Sequence, residues 1–172
     1  MRNSLSQNAL LLSNFVANIA AQRIHFIGHS LGGLLVLQML AEYPQQRVGR
    51  VVLAGSPYSG SCVATRLSRI APGRYLLGRS MRQWLDQEIP EWNDSYELGV
   101  IAGRKSMGGG RLISQLPHPN DGVVAVEETR MPGTNDEIVL NVSHSGMLLS
   151  TALIRQACSF LRSGHFLHHP AS

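Results

Sequence analysis

Four short runs of β-branched and aromatic residues alternate with helix-forming stretches in this chain of 172 residues. That alternation predicts an α/β fold: a small parallel sheet of about four strands flanked by helices. A second observation is local. The run Arg23-Ile24-His25-Phe26-Ile27 leads straight into Gly28-His29-Ser30-Leu31-Gly32, and Leu34, Leu35, Val36, Leu37, Met39, Leu40 and Ala41 lead out as a helix. A third is the histidine, His144, that follows the last apolar run almost at once.

Taken in order, Leu5, Ala9, Leu10, Leu12, Phe15, Val16, Ile19 and Ala20 recur at helical spacing and predict a first helix with one apolar face. Strand, G-x-S-x-G and helix then form the context of a nucleophile elbow. Such a turn presents Ser30 Oγ clear of the sheet. Gly28 and Gly32 are expected to let neighbouring backbone pack against the turn, since neither carries a Cβ. The amide of Leu31, at the positive end of the following helix, points where an oxyanion would form. Arg50-Val51-Val52-Leu53-Ala54 reads as the second strand.

Residues 58–95 interrupt the alternation and are expected to form a helical cap or lid. They mix Leu67, Ile70, Tyr75, Leu76, Leu77, Met81, Trp84 and Leu85 with Arg66, Arg69, Arg74, Arg79 and Arg82. An apolar inner face would receive an acyl chain; an ordinary amphipathic segment with a solvated basic face is the alternative. Glu97 to Ala102 reads as the third strand, and Lys105 to Pro119 as a long loop. Its Gly108-Gly109-Gly110 is no phosphate loop, because no Lys-Ser/Thr pair follows.

A serine hydroxyl needs an adjacent base, and the base needs a carboxylate to hold its tautomer. In elbow enzymes the chain order is Ser, then Asp or Glu, then His. Ile138-Val139-Leu140-Asn141-Val142 reads as the fourth strand, and His144 lies in the loop just beyond it, before a last helix from Met147 to about Leu161. That is the carboxyl end of the sheet, where sites in open α/β folds lie. His25 lies inside a strand, His29 is the variable position of the motif, and His118 sits between prolines. His165, His168 and His169 belong to a tail, 165–172, expected to be loose.

Asp121, in Asn120-Asp121-Gly122-Val123-Val124, supplies the acid from a turn-forming stretch. A turn-capping aspartate bonded to its own backbone is the bland alternative. Glu127 and Glu128 compete less well, and Asp136 and Glu137 stand at the wrong end of their strand.

With these residues in hand, the chain resembles the C-terminal part of an α/β-hydrolase of the bacterial lipase/esterase type. The resemblance rests on Gly-His-Ser-Leu-Gly-Gly at 28–33, Asn-Asp-Gly-Val-Val at 120–124 and Ser-His-Ser-Gly-Met at 143–147. It implies Ser30, Asp121 and His144 as a catalytic triad, with Leu31 N–H as an oxyanion donor. The implied activity is cleavage of carboxylic esters or lipid acyl esters through an acyl-enzyme. A binding or interaction module that keeps the triad but cannot turn over is the runner-up.

A complete member carries about eight strands, with the elbow after the fifth. Here only 22 residues precede the elbow strand. The earlier strands, and the loop that supplies a second oxyanion donor, have no counterpart. Lacking one such donor costs about 10²–10³ in turnover. The elbow strand would then be a sheet edge, with no Lys, Pro or bulge to blunt it, and open to self-association. A truncated reading of a longer gene is the favoured explanation, ahead of a covering second copy or a decayed homologue.

Composition narrows the rest. The chain is 44% hydrophobic and 15% charged, as one globular domain should be, with formal charge +4 and pI about 9.6. No basic cluster with interleaved aromatics points to nucleic acid, and no 18-residue apolar run points to a membrane span. Arg2 and Leu10-Leu11-Leu12 faintly echo a signal peptide. Asn8, Ser13, Asn14 and Asn18 break it, so a cytoplasmic location is expected. Cys62 and Cys158 are expected as thiols rather than a disulfide framework. No metal or organic cofactor is implied; the partner is a small-molecule ester or lipid substrate.

Overall fold

A computed structural model describes residues 3–68, 78–87, 92, 95–107 and 116–168. Four parallel strands form one sheet in sequential order: β1 (Ile24–His29), β2 (Val48–Ala54), β3 (Glu97–Gly103) and β4 (Asp136–Leu140). Both faces are covered, which is why β2 and β3 read as nearly unbroken apolar runs. Alternation sorts their side chains. Val51, Leu53, Leu98 and Val100 enter one core, with α1 (Leu5–Ala17) and α2 (Leu31–Glu42). Val52, Ala54 and Ile101 enter the other, under α6 (Thr151–Ser163).

α1 opens on a capping box, Ser4 with Gln7, and buries Leu5, Ala9, Ser13 and Val16. Its expected apolar face is wider than the face it buries: Leu10 and Phe15 are exposed. It also stops at Ala17, short of Ile19 and Ala20. The Arg47 guanidinium, at the start of β2, donates to the carbonyls of Val16, Ile19 and Ala21 and so satisfies the helix end.

Within the expected cap, residues 69–77, 88–91 and 93–94 lie outside the described residues. α3 (Cys62–Ser68) and α4 (Gly78–Asp86) are described, and a short α5 (Val126–Thr129) follows later, just after the Asp121 turn. α4 packs down on the start of α1: Gln83 Oε1 accepts from Leu5 N and Ser6 N, and Trp84 is buried in the α1-side core.

β1 is an edge of this sheet, as the sequence led us to expect. Its inner side is not regular, however. Ile24 pairs with Val48 but Phe26 with Val51, so β2 carries an extra residue, and Arg50 N–H donates to the His25 ring instead of the ladder.

The chain after β4 differs from expectation at two places. Residues Ser145–Leu149 form a 3₁₀ turn, and α6 begins only at Thr151. Ser150 is extended and its hydroxyl accepts from Leu153 N, which restarts the helix as an N-cap. His165–His168, read as the start of a loose tail, are tied down. Phe166 stacks near Phe160 at 5.0 Å, and Asp136 accepts from Phe166 N at 2.7 Å and pairs with His168 Nε2 at 2.8 Å. Burial alone would raise the Asp136 carboxyl; the Phe166 N–H and then His168 hold it below its ordinary value. Residues 169–172 lie outside the described part.

Cys62 and Cys158 form no disulfide. Among the described residues, no helix is long and apolar enough to cross a membrane, and no group of three His, Cys, Asp or Glu is placed to hold a metal.

Candidate active site

The turn from β1 into α2 forces Ser30 to φ 53, ψ −125, the only positive φ of a non-glycine among the described residues. Holding a serine there costs about 1–3 kcal/mol. The neighbours over-determine it. Ser30 N–H donates to the Ala54 carbonyl at 2.9 Å, extending the β1–β2 ladder, while Gly33 N–H donates to the Ser30 carbonyl at 3.0 Å. The hydroxyl caps nothing in α2 and remains available.

The glycines of the motif are unequal. A Cβ on Gly28 would run into the Gly33 backbone, so the strand and helix can cross this closely only because Gly28 has none. Gly32, expected to serve the same end, has nothing within 4 Å of where its Cβ would be. Gly33 takes that part instead: its Cβ would strike the buried Ser56 side chain.

His144 and Asp121 arrive from the loops beyond β4 and β3. Ser30 Oγ lies 3.0 Å from His144 Nε2, and His144 Nδ1 lies 2.8 Å from Asp121 Oδ2. A carboxylate only accepts, so Nδ1 carries the hydrogen, and Nε2 is left to accept from the Ser30 hydroxyl. His144 N–H also donates to the Asp121 carbonyl at 2.9 Å, fixing one loop on the other. Asp121 is 1% exposed. Its two oxygens divide the work that the sequence left as alternatives. Oδ1 accepts from Val123 N and Val124 N at 2.9 and 2.7 Å and closes the turn, while Oδ2 faces His144. Such a line of hydroxyl, imidazole and carboxylate can draw the hydroxyl proton onto the ring as the oxygen attacks an electrophile.

Leu31 is the first residue of α2. Its N–H therefore belongs to the first turn, whose amides lack intrahelical acceptors.

Two of the competing acids are occupied elsewhere. Glu128 Oε1 accepts from Cys62 N at 2.6 Å and Oε2 from Ala125 N at 2.8 Å, which ties the start of α3 to the Asp121 loop. Asp136 holds Phe166 and His168 at the opposite end of the sheet. Among the other histidines, His25 accepts from Arg50 N and His118 bonds to Asn120.

Motif reasoning placed His29 in the elbow as its variable position and assigned it no partner. Its Nε2 sits 3.0 Å from the His144 carbonyl oxygen, with the two rings 4.7 Å apart. Burial first, and then the His144 ring, hold His29 below the ordinary imidazole value. The alternation of β1 could have flagged it, since His29 shares a face with Ile27. Both line an apolar groove of about 290 Å³ between β1 and α6, with Ala54, Met147, Leu153 and Ile154.

Comparison with known proteins agrees with this architecture. The family profile described as "alpha/beta hydrolase fold" matches residues 5–105. "Putative carbamate hydrolase RutD" from Stutzerimonas stutzeri is 32% identical over 85 residues, which span 45% of this chain and 32% of that relative. The chain thus matches about a third of the relative's length. Among solved structures, the mature form of the Bacillus licheniformis lipase BlEst2 superposes with a TM-score of 0.70 at 18% identity, covering 94% of this chain and 74% of the lipase. An alpha/beta hydrolase fold protein from Chitinophaga pinensis gives a TM-score of 0.61 at 12% identity, over 95% of this chain and 73% of its own. At these identities the likeness is one of fold.

Proposed function

This chain belongs to the α/β hydrolase fold family, and from that premise we propose that it is a serine hydrolase acting on carboxylic esters or lipid acyl esters. The observation that carries the reading is the unbroken line Ser30–His144–Asp121 at 3.0 and 2.8 Å. Ser30 Oγ attacks the ester carbonyl carbon while His144 Nε2 takes its proton. Asp121 holds Nδ1–H and stabilises the imidazolium that forms. The carbonyl oxygen, now negative, meets the Leu31 N–H at the start of α2. His144 then protonates the departing alkoxide, leaving Ser30 acylated, and a water activated by the same ring releases the acid. A carbamate carbonyl is open to the same attack, and the name of the RutD relative makes that substrate class worth assaying.

Two experiments test this. A fluorophosphonate probe should label the purified chain and spare Ser30→Ala. Nitrophenyl ester hydrolysis should fall to background in the same variant. Equal rates in both proteins would replace the hydrolase reading with a second one, an idle binding module. That alternative draws on the edge position of β1, which leaves one side of the elbow strand without a hydrogen-bonded neighbour among the described residues.

A further inference from the structure

His29 adjoins Ser30 in sequence, yet its ring reaches a segment 115 residues away. Alternation along β1 turns it to the face of Ile27, where the His144 loop and α6 close over the sheet. There its Nε2 lies 3.0 Å from the His144 carbonyl oxygen. A carbonyl can only accept, so Nε2 bears the hydrogen and donates. The rings are inclined at 46° with centroids 4.7 Å apart. The ring rests in the apolar groove with Ile27, Ala54, Met147 and Leu153.

The bond matters because of what else holds His144. Its backbone N–H is pinned to Asp121, and its carbonyl receives a long bond from Met147 N at 3.3 Å besides the bond from His29. The imidazole swings on two side-chain torsions from this backbone, so a small rotation of the peptide moves Nε2 away from Ser30. Misplacing a reacting group by 1 Å can cost about 10² in rate. His29 braces the elbow strand directly to the loop that carries the base.

We propose that His29 is a positioning residue: its Nε2–H bond to the His144 carbonyl and its ring contact keep the His144 imidazole in line between Ser30 and Asp121. This rests on the reading of Ser30, His144 and Asp121 as the reacting set. The hydrogen bond of His29 goes to the His144 backbone, while the two His144 ring nitrogens face Asp121 and Ser30, so His29 acts through His144. It works as a neutral ring, consistent with its lowered proton affinity, and so adds no like charge when His144 becomes an imidazolium.

The test compares wild type, His29→Leu and His29→Gln. Leucine fills the groove without a donor; the glutamine amide can reach the same carbonyl. His29→Leu should slow fluorophosphonate labelling of Ser30 and lower kcat by about 10–100-fold, with KM within about twofold. His29→Gln should recover to within about threefold of wild type. Labelling of folded His29→Leu at the wild-type rate overturns the proposal. Should His29→Leu not fold, His29→Asn replaces it; its amide is too short to reach, and equal rates for Asn and Gln variants overturn the proposal as well. Absence of labelling in the wild type is the separate failure of the hydrolase reading. Imidazole NMR then decides His29 without turnover. The His144 Nδ1 proton resonance should be seen in wild type and His29→Gln and lost by exchange in His29→Leu, and an unchanged line in His29→Leu refutes the brace.

Discussion

Replacing Gly28 by alanine, beside Gly32→Ala, separates two glycines that a motif treats alike. A Cβ on Gly28 would stand 2.7 Å from Gly33 N and 3.0 Å from Gly32 C, all of it backbone that no rotamer change can clear. The nearest atom, Gly33 Cα, is closer still, so restoring the 3.4 Å of ordinary contact makes the first turn of α2 retreat from β1 by about 1 Å. Overpacking of this kind costs about 1–3 kcal/mol. In a domain of this size each kcal/mol shifts Tm by about 2–4 °C, so Gly28→Ala should melt about 2–12 °C below wild type. Gly32 has open space and lies in the helix, so Gly32→Ala should gain about 0.4–1 kcal/mol through the unfolded chain and melt slightly higher. The same retreat draws Ser30 Oγ from its 3.0 Å contact with His144, and labelling should slow by up to about 10². Thermal melts by circular dichroism read the first effect and fluorophosphonate kinetics the second. Equal melting losses for the two variants, or none for Gly28→Ala, would refute the packing argument.

Asp121→Asn keeps Oδ1 for the Val123 and Val124 amides but presents the wrong partner to His144 Nδ1. Ester turnover should drop on the order of 10³–10⁴-fold, while Tm stays within a few degrees; full turnover would leave Asp121 with its turn alone. Glu128→Gln sets an amide donor against one of two backbone donors, Cys62 N or Ala125 N. It should cost about 1.5–3 kcal/mol in urea denaturation, and a loss below about 0.5 kcal/mol would show that the clamp is not needed. His29 is held below its ordinary value of 6.5 by burial and then by His144. Between the folded and unfolded values the unfolded chain binds the extra proton, so this contribution is complete above pH 6.5 and is lost as pH falls through the folded value. Urea midpoints should therefore decline on acidification less steeply in His29→Gln than in wild type, and parallel slopes would contradict that assignment.

Three of the features at the site were legible from local chemistry. The strand–G-x-S-x-G–helix context located the turn at Ser30, Asp-Gly marked a tight reversal at Asp121, and an apolar run ending at a loop marked His144. Each depends on residues within a few positions of one another. Less legible were the features made by packing. Nothing in Gly32-Gly33 says which of the two meets Ser56 from the end of β2. Glu128 looked like a spare acid until the start of α3 came to rest on it. Nor does the order of residues after the last helix say that Phe166 fills the space beside Phe160 or that Asp136 supplies the acceptor for its N–H.

Read alone, the chain settles what each segment can become. Side-chain period, turn formers and helix formers act over one or two turns of backbone, and they suffice for four strands, their helices and three chemically suited side chains. The folded molecule decides which side chains share a space. Ser30 meets a ring 114 residues further on, and His29 grips the backbone of that same residue across 115. Contacts of that span arise when two faces of a sheet close against different helices, and such closure leaves no periodic trace in the order of amino acids.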